Sequence, residues 1–145
     1  KFNDRGIKEF EGEYKDGYKN GTWIYWESDG KKKAIEEYLN GEKHGRCIRW
    51  KNGNKIAEEF YKHGKKHGKQ IYWSKNGQKL ALQEYVDGEK QGKWYWWYPN
   101  GRKKMVGEYK DGEKHGIWIK WDRSGKIIFK AEYVEGELVK EFTKK

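Results

Sequence analysis

The stretch Glu108-Tyr109-Lys110-Asp111-Gly112-Glu113-Lys114-His115-Gly116-Ile117-Trp118 decides the fold, because close copies of it recur along the chain. Its first glycine belongs to the set Gly17, Gly41, Gly64, Gly88, Gly112 and Gly136, spaced 24, 23, 24, 24 and 24 residues apart. Its second belongs to Gly21, Gly45, Gly68, Gly92 and Gly116, four residues further on. Gly6, Gly30, Gly53, Gly77, Gly101 and Gly125 form a third set on the same beat. Seventeen of the nineteen glycines fall in one of these sets. A tyrosine stands three residues before each glycine of the first set. A tryptophan stands nine after the first five, at Trp26, Trp50, Trp73, Trp97 and Trp121. A period of 20–50 residues marks a repeat array, one supersecondary unit stacked on copies of itself.

Each unit reads as two strands and two turns. Runs such as Thr22 to Trp26 and Lys93 to Trp97 are β-branched or aromatic and favour strands. Asp29-Gly30, Asn52-Gly53, Asn76-Gly77 and Asn100-Gly101 are short hairpin signals, since both residues tolerate positive φ. Pro99 precedes one of these turns, where its missing N–H is tolerated. Nothing carries a 3.6-residue apolar period over ten or more residues. The expected fold is all-β: an antiparallel β-hairpin meander or solenoid of about five 24-residue repeats, with about twelve strands in one elongated, right-handedly twisted sheet. Residues 1–145 form a single domain, with repeats starting near 14, 38, 61, 85 and 109. Degenerate caps are expected at 1–13 and 133–145, where Lys140 and Phe142 replace a glycine and a tryptophan.

Leu, Ile, Val and Phe number only 23 and the net charge is +10, a balance that by itself suggests disorder. Nine Trp and eleven Tyr argue for a folded chain with a thin aromatic core. Cys47 is alone, so no intrachain disulfide forms. No apolar run approaches the ~20 residues of a membrane-spanning helix. The chain starts at Lys1 without Met, which leaves a removed signal peptide open and localisation unassigned.

Alternation of side chains divides each strand between two faces. Ile24/Trp26, Ile48/Trp50, Ile71/Trp73, Tyr95/Trp97 and Ile119/Trp121 vary least between copies. They are expected to form the core together with Ala34/Tyr38, Ala81/Tyr85, Met105/Tyr109 and Phe129/Tyr133. The opposite face holds Trp23, Tyr25, Arg49, Tyr72, Trp94, Trp96, Trp118 and Lys120. Aromatics interleaved with cations anchor protein interfaces or stack on bases and sugars, so these eight are the expected binding residues.

Other chemistry is weaker. His44, His67 and His115 occupy equivalent slots about 10 Å apart, too far to share a metal. His63 and His67 flank one turn and stand as a plain polar pair. The Gly-x-x-x-Gly turns lack the Lys-Ser/Thr and the helix of a phosphate-binding loop. The in-register glutamates Glu13, Glu37, Glu84, Glu108 and Glu132 are expected to pair with lysines. Ser28, Ser74 and Ser124 have no activating partner pattern. No catalytic residue, metal, cofactor or small-molecule substrate is expected.

The unit E-Y-x-x-G-x-x-x-G-x-W-x-x-W-x-x-x-G resembles the variant MORN repeat found in tandem in many bacterial proteins, one group of which carries an antitoxin label. The resemblance runs from about Gly6 to Gly136. It implies a β-hairpin array used for protein or membrane contacts, with no shared catalytic residues. The second and third copies depart from it, with Cys47 and Gln70 in the slot of Trp23 and Trp94, and Phe60 in place of a glutamate. The expected function is a non-enzymatic module for protein–protein interaction, in its most concrete form an antitoxin or immunity-type protein, with self-association open. The alternative is a binder of anionic surfaces, whether membrane lipid, nucleic acid or cell-wall polymer, through a basic aromatic face.

Overall fold

The computed structural model describes residues 1–143. Among these no segment is helical, and fourteen strands follow one another. They are β1 (Phe10–Lys15), β2 (Tyr18–Trp26), β3 (Lys32–Leu39), β4 (Glu42–Lys51), β5 (Asn54–Lys62), β6 (Lys65–Lys66) and β7 (Gly68–Trp73), then β8 (Lys79–Val86), β9 (Glu89–Lys90), β10 (Gly92–Trp97), β11 (Lys103–Lys110), β12 (Glu113–Trp121), β13 (Ile127–Val134) and β14 (Glu137–Glu141). Every pairing is antiparallel between neighbours in sequence, giving one open sheet. β6 and β9 are the first pieces of strands that resume as β7 and β10 after a one-residue break. The array is therefore twelve strands wide, as expected, and about 55 Å long at ~4.8 Å per strand.

Two turn types alternate. Asp16-Gly17, Asn40-Gly41, His63-Gly64, Asp87-Gly88, Asp111-Gly112 and Glu135-Gly136 have positive φ at both residues, the two-residue turn whose twist suits a hairpin. The turns after the tryptophans are longer. Glu27 and Lys31 close a three-residue loop in which Gly30 alone has positive φ. The loops at Ser74, Tyr98 and Asp122 repeat that closure. Only Asn52-Gly53 is a two-residue turn on this side, with φ of 52° and 81°. The single 23-residue spacing is the removal of that third loop residue.

Neighbouring copies are clipped together at the turns. The N–H groups of Gly41, Gly64, Gly88, Gly112 and Gly136 donate to the carbonyls of Lys19, Lys43, Lys66, Lys90 and Lys114. His44 Nδ1 and His67 Nδ1 accept the N–H of His63 and Asp87, each at 3.2 Å, and Gln91 Oε1 accepts that of Asp111 at 3.0 Å. The recurring histidine slot is thus a structural acceptor, which glutamine fills as well.

The register corrects the expected core. Tyr25, not Ile24, pairs with Ala34, and likewise Arg49 with Ala57, Tyr72 with Ala81 and Trp96 with Met105. A bulge beside each of Trp26, Trp50, Trp73, Trp97 and Trp121 sets this register. Trp23, Cys47, Gln70, Trp94 and Trp118 are therefore on the same face as the alanines and tyrosines of the neighbouring strands. They are the buried row, with Trp23, Trp94 and Trp118 at 2%, 3% and 1% exposure. Trp97 is half-buried, as is Trp96, so the expected contrast between them fails; Trp50 is more buried than Arg49, as expected.

The other face carries a straight ladder. Ile24, Ile35, Ile48, Glu58, Ile71, Leu82, Tyr95, Val106 and Ile119 each pair directly with the next. All are half-buried except Ile48, which is buried. The invariant tryptophans flank this ladder, half-buried. A single layer cannot cover both its faces, and the accessible surface shows it: 9683 Å² against about 7,900 Å² for a compact monomer of this mass.

Candidate binding site on the tyrosine–lysine face

On the face opposite the aliphatic ladder, three rows run along the array. The outermost alternates tyrosine with lysine. Tyr14 pairs with Lys19, Tyr38 with Lys43, Tyr61 with Lys66, Tyr85 with Lys90 and Tyr109 with Lys114. Each ammonium also lies over the tyrosine of the next copy: Lys19 over Tyr38 at 4.9 Å, Lys43 over Tyr61 at 5.2 Å, Lys66 over Tyr85 at 5.3 Å, Lys90 over Tyr109 at 5.0 Å and Lys114 over Tyr133 at 4.9 Å. The negative ring face holds the cation, so the row is both basic and ordered.

The middle row fills the space under the tyrosines. Trp23 lies across Gly12 and Trp118 across Gly107, at positions where a Cβ would meet the indole at 2.1 and 2.2 Å. The two glycines off the sequence beat are thus the floor beneath two buried tryptophans. Each indole N–H donates to a carbonyl on the preceding strand, from Trp23 to Glu13 at 3.1 Å, from Trp94 to Glu84 at 3.0 Å and from Trp118 to Glu108 at 3.2 Å. Tyr14, Tyr109 and Tyr133 meet the rings edge-on, the preferred aromatic geometry.

In the centre, the same row turns polar. Gln70 is fully buried and reproduces the indole's bond with its amide: Nε2 donates to the Phe60 carbonyl, and Oε1 accepts the Phe60 N–H, both at 2.9 Å. Glu59, 7% exposed, lies between Cys47 and Gln70. Its carboxylate accepts from Arg49 Nη2 at 3.1 Å, Tyr72 Oη at 3.0 Å and Tyr61 Oη at 3.2 Å, with Lys66 Nζ at 3.7 Å. A buried charge so fully surrounded is satisfied. Burial, then the Glu59 charge, pushes the Tyr61 hydroxyl up to about 12, and the same causes raise Tyr72. Tyr38 is raised by burial and by Glu36, to which it donates. Burial also pushes the Cys47 thiol up, which keeps it protonated and inert.

The third row holds the larger part of the expected binding set. Tyr25, Arg49, Tyr72, Trp96 and Lys120 stand on alternate strands, separated by Ala34, Ala57, Ala81 and Met105. Arg49 and Lys120 are exposed, and the three aromatics are half-buried. Small residues between large ones leave hollows, and one of about 480 Å³ is lined on this face by Tyr25, Ala34, Glu36 and Arg49 and reaches the sheet edge at the Trp50–Ile56 bulge. The remaining expected residues, Trp23, Trp94 and Trp118, lie buried beneath, so the expectation of eight exposed side chains gives way to five reachable ones on a packed floor.

Sequence reasoning missed Glu59 and the lysine row. The lysines had a signal, since Lys19, Lys43, Lys66, Lys90 and Lys114 each stand two residues after a first-set glycine. Glu59 had none, because equivalent slots hold Gly12, Glu36, Gln83, Gly107 and Ala131. The in-register glutamates have a local role: the Glu37 and Glu84 carboxylates lie beside Gly45 and Gly92, where a Cβ would meet them. Among the described residues no three His, Cys, Asp or Glu side chains converge as metal ligands.

A profile of the MORN repeat variant matches residues 19–40, 66–87, 90–111 and 114–135, more than half of the chain. The interval it passes over, 41–65, contains Cys47, Glu59 and the two-residue turn. A comparison with curated proteins gives no match.

Proposed function

This chain belongs to the MORN repeat variant family, and we propose that it serves as a non-catalytic module that holds a protein partner on its tyrosine–lysine face. The observation that carries this reading is the row Tyr25, Arg49, Tyr72, Trp96 and Lys120, in register above a buried aromatic floor. Aromatic and arginine side chains that are reachable but held in place lose little entropy on contact, which is the requirement for an interface anchor. The polar groups of the face are already engaged: the histidine slot in turn clips, Glu59 in its cluster, Cys47 as a buried thiol. That supports recognition rather than turnover. The partner surface is acidic, complementing the lysine row and the net charge of +10. An antitoxin or immunity role is the concrete version, with a toxin of acidic surface as target.

The lysine row favours a second reading, an anionic membrane, nucleic acid or wall polymer laid along the array. The two separate by salt. Binding to a polyanion falls steeply with ionic strength, whereas an interface anchored by Tyr72 and Trp96 keeps most of its affinity. The test is affinity capture from the source cells with the wild-type chain and Tyr72→Ala/Trp96→Ala, at low and high salt. Loss of a specific protein with the double variant, retained by the wild type at high salt, supports the proposal. Captured nucleic acid or lipid that is lost with salt and unaffected by the variant overturns it.

A further inference from the structure

We propose that the loop edge beside the invariant tryptophans binds an acidic polysaccharide, one chain laid along the array with a disaccharide on each repeat. The site is separate from the tyrosine–lysine face and does not depend on the reading above.

Charge is sorted between the two long edges of the sheet. The loops on the tryptophan side, residues 27–33, 51–55, 74–79, 98–104 and 122–126, hold twelve Lys and Arg against three Asp and Glu. That excess of nine is nearly the whole net charge of +10. On the other side, the turns and their flanking residues, 15–18, 39–42, 62–65, 86–89, 110–113 and 134–137, hold four Lys against eight Asp and Glu.

The basic edge has few anions of its own to meet these cations. Among the described residues, Lys55 alone of the twelve is in an ion pair, with Glu58. Two of the three anions serve their own loops. Asp29 Oδ1 accepts the N–H of Lys31, and Asp122 Oδ1 accepts those of Ser124 and Lys126. A line of unpaired cations draws in a polyanion.

Inboard of the loops, tryptophan and lysine alternate strand by strand. Trp26 pairs with Lys32, Trp50 with Lys55, Trp73 with Lys79 and Trp97 with Lys103. Lys8 Nζ lies over the Trp26 ring at 5.4 Å, and Lys55 Nζ over Trp73 at 4.8 Å. The five invariant tryptophans are half-buried, and Lys32 and Lys103 are exposed. Each indole thus keeps a reachable surface beside a cation. That pairing suits the apolar C–H face of a sugar ring in a chain that carries carboxylates.

The repeat of this row selects the polymer. Like residues recur every second strand, at ~10 Å. Two pyranose rings of an extended β-linked chain cover about that length, so each disaccharide meets the same pair of side chains. Stacked nucleotides recur at about 3.4 Å and do not keep step with it. A membrane is flat, whereas the edge of a twisted sheet turns by roughly 20° per strand and meets a plane over a short length. A single polymer chain winds with the edge.

The test is titration of the purified chain with a hyaluronan decasaccharide, which carries one carboxylate per disaccharide. Calorimetry gives the affinity and NMR follows the indole N–H signals. Binding is expected. The signals of Trp26, Trp50, Trp73, Trp97 and Trp121 should shift more than those of Trp23, Trp94 and Trp118, whose N–H groups are bonded within the sheet. Lys31→Glu, Lys32→Glu, Arg102→Glu and Lys103→Glu together should weaken binding at least ~10-fold. Lys15→Glu, Lys62→Glu, Lys65→Glu and Lys110→Glu make the same change of charge on the opposite edge. They should leave the affinity within ~3-fold at physiological salt, since the edges are more than a Debye length apart. All eight side chains are exposed, so both variants should keep the strand circular dichroism. Tyr72→Ala with Trp96→Ala should leave the titration unchanged. No binding, an equal loss in the two charge variants, or a loss with Tyr72→Ala/Trp96→Ala overturns the proposal. So does a single-stranded oligonucleotide of equal charge, or an anionic lipid vesicle, that binds more tightly than the decasaccharide. Should a charge variant unfold, the indole shifts of the wild type decide, and shifts confined to the buried tryptophans overturn the site.

Discussion

The flanking copies and the central ones fill the same volume with different chemistry. At the flanks, Trp23 and Trp118 lie over Gly12 and Gly107, and an indole supplies both the bulk and a hydrogen bond to a carbonyl of the preceding strand. In the centre, Cys47 and Gln70 are smaller, and the residues beneath them, Glu36 and Glu59, are larger. Trp94 is intermediate, with Gln83 in the slot beneath it. The backbone accepts both solutions because the slot imposes only a shared volume and a partner for a carbonyl. The cost differs. A tryptophan over glycine is apolar and self-sufficient. Glu59 needs Arg49, Tyr61, Tyr72 and Lys66 at once, so the centre is a coupled network.

The sharpest way to break the comparison is at a flank. Trp118→Ala should cost about 3–5 kcal/mol, since a fully buried side chain leaves a cavity over Gly107 that backbone cannot fill. Urea denaturation measures it, and a loss below that of Trp121→Ala would place the core on the wrong face. Next is the turn that distinguishes the central hairpin. Gly53→Val forces a β-branched residue to a φ of 81° and should cost about 1–3 kcal/mol, whereas Lys51→Val should stay within ~0.5 kcal/mol. Equal losses would mean that the loop relaxes to the three-residue form.

A smaller effect tests whether the two chemistries are interchangeable. Gln70→Trp and Glu59→Gly should each destabilise the chain. Together they recreate the flanking pair and should recover ~1 kcal/mol or more relative to the sum of the singles. Strict additivity in a double-mutant cycle would show that the slots do not share volume. The smallest effect is electrostatic. Because the folded Tyr61 hydroxyl titrates near 12 rather than 10.0, folding disfavours tyrosinate. Its contribution is complete below pH 10 and is lost as pH rises from 10 towards 12. The melting temperature of the wild type should fall across that window, and Tyr61→Phe should flatten part of the slope. An unchanged slope in the variant would assign alkaline unfolding to other groups.

Much of this was legible in the sequence. The beat of Gly17 to Gly136, the Asn-Gly and Asp-Gly turns and the aromatic runs determined an antiparallel hairpin array twelve strands wide, because turn residues and strand propensity act locally. Alternation also sorted each strand into two rows, and the row Tyr25, Arg49, Tyr72, Trp96 and Lys120 was among them. Which row of one strand faces which row of the next was a tertiary decision. It rests on loop length and on the bulge beside each invariant tryptophan, and Trp26, Trp50, Trp73, Trp97 and Trp121 looked like core because they repeat without change. In a single-layer sheet both faces are half-buried, so invariance and burial separate. Only the folded register shows that Trp23, Trp94 and Trp118 are the floor, that Gly12 and Gly107 are where the indoles rest, and that Glu59 has four partners. Those contacts join residues on adjoining strands, and their strength depends on distances that no spacing along the chain specifies.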